Sequence, residues 1–226
     1  MGQTPSHPYW PLLDLRLRSG DLVLAPLVEA DLEELVARLP DDVELDPSAT
    51  RYEGVEPGTR RGTVVYQGYW RGYGTWSPEA WRLDFAVRRR GELLGRQELE
   101  GNDFPKLRTV DSSSWLVEAA RGQGIGKRMR RAVLALAFGP LGAREAITSA
   151  WHDNVGSLGV SRSIGYTDNG VSTAVRGDRL DTMVHLRMTA ADWEASGAGG
   201  DVVIEGFEPC RPFFGLGPDG EFTPRD

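Results

Sequence analysis

Arg121-Gly122-Gln123-Gly124-Ile125-Gly126, followed at once by Lys127-Arg128-Met129-Arg130-Arg131, is the stretch whose reading decides the fold. Alternating glycines let the backbone curl tightly enough for several N–H groups to converge on one anion. The basic run behind them predicts a helix whose positive dipole end points into the same spot. Together they make a cradle for a pyrophosphate. Two better-known phosphate cradles do not fit. A Walker-type loop needs a glycine four residues ahead of Gly-Lys and a hydroxyl residue after it; Arg121 and Arg128 hold those places. The dinucleotide fingerprint needs two residues before its last glycine, and only Ile125 stands there. A plain tight turn remains open on these residues alone.

A second motif lies downstream. Asn154 is a good N-cap, Ser157 follows it, and Gly165-Tyr166 is a natural helix stop. Between the motifs the sequence predicts a helix over 127–138, a Gly139-Pro140 break and a strand over about 144–151. Ser113-Ser114-Trp115-Leu116-Val117 supplies a strand just ahead of the loop. In order and spacing this set resembles the GNAT superfamily of N-acyltransferases, read as Arg/Gln-x-x-Gly-x-Gly/Ala and then Asn-x-x-Ser…Gly-Tyr. It is most similar to the RimJ/RimL-type branch, and within it to actinobacterial members associated with succinyl-CoA. The similarity covers about 10–215.

The resemblance implies an α+β fold with a mixed, mostly antiparallel twisted sheet, helices on its faces and splayed central strands. It implies acetyl-CoA or succinyl-CoA as acyl donor and an amine of a protein or small molecule as acceptor. The pantetheine would lie between the strands 114–117 and 146–150, with backbone N–H groups near Leu116 and Val117 polarising the thioester carbonyl. Arg121, Gln123, Gly124, Ile125, Gly126 and Lys127 would hold the pyrophosphate, and Asn154 the pantetheine arm. Ser157 matches a position that assists the departing thiolate; its other reading is a capping-turn serine. Many relatives carry a tyrosine acid seven residues after the asparagine, where this chain has Ser161. That departure keeps a non-catalytic acyl-CoA-binding module open as a second reading.

The base is read from strand geometry. Glu98 and Glu100 are two apart, so they share one face of a strand over 92–100 and could take the amine proton; a solvated strand face is the alternative. The aromatic stretch Tyr66, Tyr69, Trp70, Tyr73, Trp76 and Trp81 either walls an acceptor pocket or packs an irregular loop. His152 reads as structural rather than catalytic, and no His/Cys/carboxylate grouping has metal-ligand spacing, so no metal is expected. For a carboxylated acyl chain, Lys106, Arg108 and Arg96 are the cationic candidates.

Composition narrows the partners. The 226 residues carry a formal charge of −7 and are 40% hydrophobic, enough for a core but adverse to general nucleic-acid binding. Lysine occurs only at Lys106 and Lys127. The Arg/Ala/Gly-rich usage points to a GC-rich bacterium. A single cysteine, Cys210, suits a reducing cytoplasm, and neither a signal-peptide pattern nor a membrane-spanning apolar run is read. Further elements are a strand over 21–27, a helix over 29–39, a polar turn-rich segment over 41–61 with a short helix after it, and strands over 81–88 and 110–117. Beyond Tyr166 come two more strands, a capped helix over 189–194, a glycine joint over 197–200 and an added strand over 202–206. The expected division is an acyltransferase domain over 10–196 and an extension over 197–226 that packs on it or on a second subunit, with a homodimer possible.

Overall fold

The computed structural model of the chain describes residues 6–44, 49–50 and 52–222. The strands are β1 (Arg16–Ser19), β2 (Leu22–Pro26), β3 (Ala80–Arg89), β4 (Glu92–Asn102), β5 (Thr109–Asp111), β6 (Ser114–Leu116), β7 (Glu145–Trp151), β8 (Thr167–Arg176), β9 (Arg179–Thr189) and β10 (Val202–Glu205). The helices are α1 (Leu32–Ala37), α2 (Pro57–Gly74), α3 (Phe104–Leu107), α4 (Ile125–Phe138), α5 (Val155–Ile164) and α6 (Ala190–Ser196). The strands form one sheet in the order β10-β1-β2-β3-β4-β5-β7-β9-β8, with β6 paired to β4 off that path. Only β5–β7 is parallel. This is the mostly antiparallel α+β sheet with flanking helices that the sequence predicts.

Alternation along the strands assigns the helices to faces. Trp81, Leu83, Phe85 and Val87 of β3 enter one large core with Ile125, Met129, Val133 and Leu136 of α4 and Leu158 of α5. Ala86 on the opposite face joins Leu27, Leu32, Leu35 and Leu93 in a smaller cluster under α1 and α2. The β3–β4 connection is tight because Arg90 (φ 53) and Gly91 (φ 86) are both left-handed, the turn whose twist matches a hairpin.

The single strand expected over 110–117 is broken in two. β5 pairs with β7, Asp111 standing opposite Ile147, whereas β6 pairs only with β4. Beyond Ile147, β7 therefore has no neighbour on that side, and a wedge opens between β6 and β7. Side chains fix the break at Ser112-Ser113. Gln97 Nε2 donates to the carbonyls of Glu98 and Ser113, each at 2.9 Å, and Thr148 Oγ1 donates to Ser112 O at 3.1 Å.

Two further expectations are corrected. The short helix after the turn-rich segment is an 18-residue helix, α2, begun by Pro57 and containing Gly62, Gly68 and Gly72. Of these glycines Gly62 is the closely packed one, while Gly68 and Gly72 leave room for ordinary contact. A Cβ on Gly62 would lie 3.2 Å from Val36 of α1, and one on Gly72 would meet the Arg82 backbone of β3 at 3.8 Å. At the other end, the segment over 197–200 is packed as well as glycine-rich: Ala198 is buried and Gly199 lies against Trp193. β10 extends the sheet at β1, and Phe207, Cys210, Phe214 and Leu216 enter the large core.

β6 approaches β4 so closely at Gly95 that a Cβ there would collide with the Trp115 carbonyl and stand 3.0 Å from Leu116 Cα. Gly95→Ala should therefore force β6 away from β4. The expected loss is about 2 kcal/mol or more, read from urea unfolding.

Candidate active site

The mouth of the wedge is built by two helix starts. Gly122 (φ 72) and Gly124 (φ 75) are left-handed, and a Cβ on either would meet open space. They turn the chain so that α4 begins at the wedge. Its first helical bond is Arg128 N–H to Gly124 O at 3.2 Å, so the amides of the preceding turn have no helical acceptor. Gly126 is set against Val160 of α5, to which a Cβ would come within 3.5 Å, an ordinary contact that leaves room for alanine. The Gln123 amide folds back onto Ala119 O at 2.6 Å. Ile125 is buried as the helix's anchor. Lys127 is half-buried and has no acidic partner among the described residues. Arg121 is exposed; it grips Asp42 with both Nη atoms and donates Nε to Leu116 O at 3.1 Å. That hydrogen bond holds the Asp42 carboxyl below its ordinary range.

Across the wedge, Asn154 Oδ1 accepts the Ser157 N–H at 3.0 Å and starts α5, and Gly165 (φ 117) ends it. Ser157 is half-buried, on the side of α5 that carries Ser161 one turn on. On the β6 side, Val117 N–H donates to Leu94 O at 2.9 Å and Glu98 N–H to Ser113 O at 2.8 Å. In an antiparallel pair alternate residues point their N–H away from the partner strand. Leu116 N–H therefore faces the wedge, whereas Val117 N–H is spent on the sheet. The expected pair of carbonyl-polarising amides narrows to Leu116.

The sheet face under α1 and α2 is charged. Buried Asp84 and Glu98 form a network with half-buried Arg82 and Arg96. Arg96 Nε donates to Asp84 at 2.7 Å, Arg82 Nη2 meets Glu98 at 2.7 Å, and Arg96 also pairs with Glu98. Glu98 further accepts Ser113 Oγ at 3.2 Å. Burial raises its carboxyl above the ordinary range against the pull of Arg96. Glu100 makes no such ion pair among the described residues and stands directly opposite Asp111 of β5. Burial raises both carboxyls, and for Glu100 the nearby Asp111 adds to it. At Asp111 the Ser112 N–H opposes that rise first, then Arg130, and last His185 of β9, whose ring nitrogens lie 2.8 Å from Ser149 Oγ and Ser172 Oγ. Glu98 and Glu100 thus share a face as predicted, but Glu98 is tied to guanidinium groups. Sequence reading missed Asp111 and the place of His185, because both follow from strand pairings between distant segments, β4 with β5 and β7 with β9.

Next to this network, a cavity of about 80 Å³ lies between α1, α2 and the sheet, bordered by Leu27, Leu35, Tyr69, Arg82, Asp84 and Trp115. The aromatic stretch divides. Tyr69 borders the cavity with Tyr66 nearby, while Tyr73, Trp76 and Trp81 pack against Trp10, Phe213 and Phe214. Of the three cationic candidates for a carboxylate, Arg96 is in the network. Arg108 donates to Leu141 O and covers the Phe222 ring, and Lys106 is exposed on α3 beyond the end of β4. His152 pairs with Asp181 at 3.1 Å. The Cys210 thiol, buried and bonded to Gly206 O, is pushed up to about 12 by burial. Among the described residues no group of three or more His, Cys, Asp or Glu is placed to hold a metal, and no helix is long and apolar enough to cross a membrane.

Comparison with known proteins agrees with this geometry. The family model described as an acetyltransferase (GNAT) domain matches residues 21–167. Among solved structures, RimJ of Mycobacterium smegmatis in complex with CoA-disulfide superposes with a TM-score of 0.62 at 17% identity, covering 83% of this chain and 97% of that one. A putative ribosomal-protein-serine acetyltransferase from Vibrio cholerae gives 0.59 at 17% identity, covering 78% and 98%. A chimera of the Vibrio cholerae spermidine N-acetyltransferase gives 0.59 at 13% identity, covering 77% and 99%. At such identities the structures speak for the fold, while the family model spans more than half of the chain: it belongs to the GNAT acetyltransferase family.

Proposed function

We propose that the chain moves an acetyl or succinyl group from acyl-CoA to an amine of a protein or small molecule, by direct attack, in the bacterial cytoplasm. The observation that carries this reading is the wedge with a helix start on each side of its mouth. A pyrophosphate would take the amides of 123–127 and the charge of Lys127 and Arg121, displacing Asp42 from the latter. The pantetheine would run inward along β6, past Asn154. Two of the structural neighbours act on a ribosomal protein and on spermidine by their names; the acceptor class proposed here includes both kinds.

The chemistry follows from the two faces. The amine nitrogen attacks the thioester carbon, and negative charge develops on the carbonyl oxygen beside Leu116 N–H. The amine proton passes to Glu98 or Glu100 through a chain of waters, because they stand three and five residues along β4 from Gly95, the partner of Leu116; the charge of Glu98 is committed to Arg82 and Arg96. The C–S bond breaks, and the thiolate is met by Ser157 Oγ before it is reprotonated. The carboxyls of Glu100 and Asp111 also suit a cationic amine, which must lose a proton before it can attack. The exposed edge strand β8, with Val171 and Val175 uncovered, suits a homodimer contact.

A binding module without catalysis is the second reading, favoured by one observation: Ser161, where relatives have a tyrosine acid, is buried. Thiol release from acyl-CoA with a panel of amines separates the two, since a binding module binds acyl-CoA and releases no thiol.

Three outcomes are expected. Gly124→Val puts a β-branched side chain at φ 75 in the mouth of the loop. It should weaken CoA binding at least about tenfold by calorimetry; unchanged binding would remove the loop from the site. Ser157→Ala should lower kcat about tenfold or more with little change in KM, whereas Asn154→Ser keeps a capping oxygen and should raise KM. Equal kcat in the serine variant would exclude it from thiolate departure. Glu100→Gln should abolish the acid limb of the pH–rate profile. A base with a raised pKa is inactive while protonated, so wild-type activity climbs as pH rises through that value, and the variant should stay low and flat. A variant that keeps the wild-type limb would shift the role to Asp111 or Glu98.

A further inference from the structure

Three side chains beside the open edge of β7 form a hydrogen-bonded file that leads away from the wedge. His185 of β9 stands directly opposite Ser149 of β7. Ser149 Oγ lies 2.8 Å from its Nδ1, and Ser172 Oγ of β8 lies 2.8 Å from its Nε2. Both serines are exposed, whereas the imidazole between them is half-buried. The strands that carry them are neighbours in the order β7-β9-β8, and β8 is the last strand of the sheet. The file therefore crosses the sheet from the lip of the wedge to its outer edge.

Register places the inner end. Asp111 closes the wedge opposite Ile147, and Ser149 is two residues further along β7, where that strand has no neighbour on this side. Residues two apart share a face, so Ser149 lies on the same face as Ile147 and Asp111. Ser113 is likewise two on from Asp111, and its carbonyl takes Glu98 N–H. Ser149 and Glu98 are thus level across the wedge, on the face that carries the carboxyls, three residues inward of Leu116.

We propose that His185, acting through Ser149, takes the first proton of a cationic acceptor and passes it to solvent past Ser172. This rests on the acyl-transfer reading above and deepens it. An ammonium acceptor has two protons to lose, one before its nitrogen can attack and one as the amide forms. The second is the proton given to Glu98 or Glu100. The departing thiolate takes up one, so each turnover must release one to solvent.

Imidazole exchanges protons near neutral pH, and it can accept on one nitrogen while donating from the other. In the resting file Ser149 Oγ–H donates to Nδ1, and Nε2–H donates to Ser172 Oγ. The ammonium proton moves through water to the Ser149 oxygen as the hydroxyl proton moves to Nδ1. The imidazolium then gives its Nε2 proton to water beside Ser172. Only N–H and O–H bonds change. No ion pair claims the ring among the described residues. On one side of it along β9, Arg187 Nε donates to Glu145 of β7 at 2.9 Å. On the other, beyond Met183, Asp181 is held by Arg176 of β8 at 3.2 Å. Asp111 of β5 lies within charge range of the ring and helps to draw a cationic acceptor to this side.

The test varies the basicity of the acceptor. Thiol release from acetyl-CoA is measured near neutral pH with ethylamine and with trifluoroethylamine, a similar amine so weakly basic that it is already neutral. His185→Gln keeps an amide that can bond both serines but cannot carry the proton. Ser149→Ala cuts the inner end at an exposed position. Each should lower kcat/KM for ethylamine at least about tenfold and change that for trifluoroethylamine less than about twofold. Equal losses for the two amines would mark a structural role and overturn the proposal. So would an ethylamine rate that stays at the wild-type value in both variants. If the glutamine variant does not fold, the same ratio in Ser149→Ala decides alone. A wild type that releases no thiol with any amine would instead sink the acyl-transfer reading itself.

Discussion

The break at Ser112-Ser113 is the constraint from which the rest of the site follows. A continuous strand from 109 to 117 would pair with β4 and β7 along its whole length and close the sheet. Instead Ser112 O is taken by Thr148 Oγ1, and Ser113 O by both Glu98 N–H and Gln97 Nε2. Buried backbone groups must find partners, so these two side chains make the interruption stable. Gln97 is fully buried and Thr148 nearly so. They lie on the α4 side, where removing Thr148 would leave the Ser112 carbonyl short of a side-chain donor. Once the chain is held there, β6 has only β4 to pair with, and Gly95 gives it the close approach it needs.

The wedge divides the work between two faces of one sheet. On one face α4 and α5 aim their N-termini at the mouth, and partial positive charge from unsatisfied amides accumulates there. On the other face carboxyls gather: Glu98 and Glu100 of β4 and Asp111 of β5. Under the proposed function an anionic donor and a cationic acceptor would be drawn to opposite sides, with the gap between β6 and β7 as the passage between them. The buried network among Arg82, Asp84, Arg96 and Glu98 has a separate part. Its two cations and two anions balance, so it holds β3 and β4 in register; losing one partner would strand a buried charge at a cost of about 3–5 kcal/mol.

How much of this was legible depended on range along the chain. The cradle at 121–127, the Asn154 cap, the Gly165 stop and the alternation of β3 are local, and sequence carries local rules well. α2 was underestimated because the turn-rich reading of 41–61 ran past its start at Pro57, and because Gly62 has its reason in the nearness of Val36, distant in sequence. The strand break was hidden because Ser112-Ser113 does not differ in kind from the serine beside it; only the amide of Gln97, fifteen and sixteen residues away, explains it. Asp111 was hidden for a different reason: it stands opposite Glu100 through the register of β5 on β4, a pairing across the chain that neither residue announces locally. Arg130 was read as part of a basic run, and the helical phase that buries it while Arg128 and Arg131 reach acids emerges only in three dimensions.

The pairing of Arg121 with Asp42 raises the question of whether it obstructs the loop. Its side chains are 40% and 61% exposed. Exposed pairs are worth about 0–1 kcal/mol, since water and salt screen them and two side chains lose freedom in forming them. A pyrophosphate at the same guanidinium would bring more charge and would also engage amides that have no competing acceptor. The balance favours the phosphate, and Asp42 returns to water at little cost. Glu44 of the same segment accepts from Trp151 Nε1 and Arg176 Nε at 2.7 Å each, on the β7 side of the wedge. The segment is therefore anchored at both flanks of the wedge. Release of Arg121 leaves the second anchor in place, so donor binding requires a side chain to swing rather than the α1–α2 connection to come off the sheet.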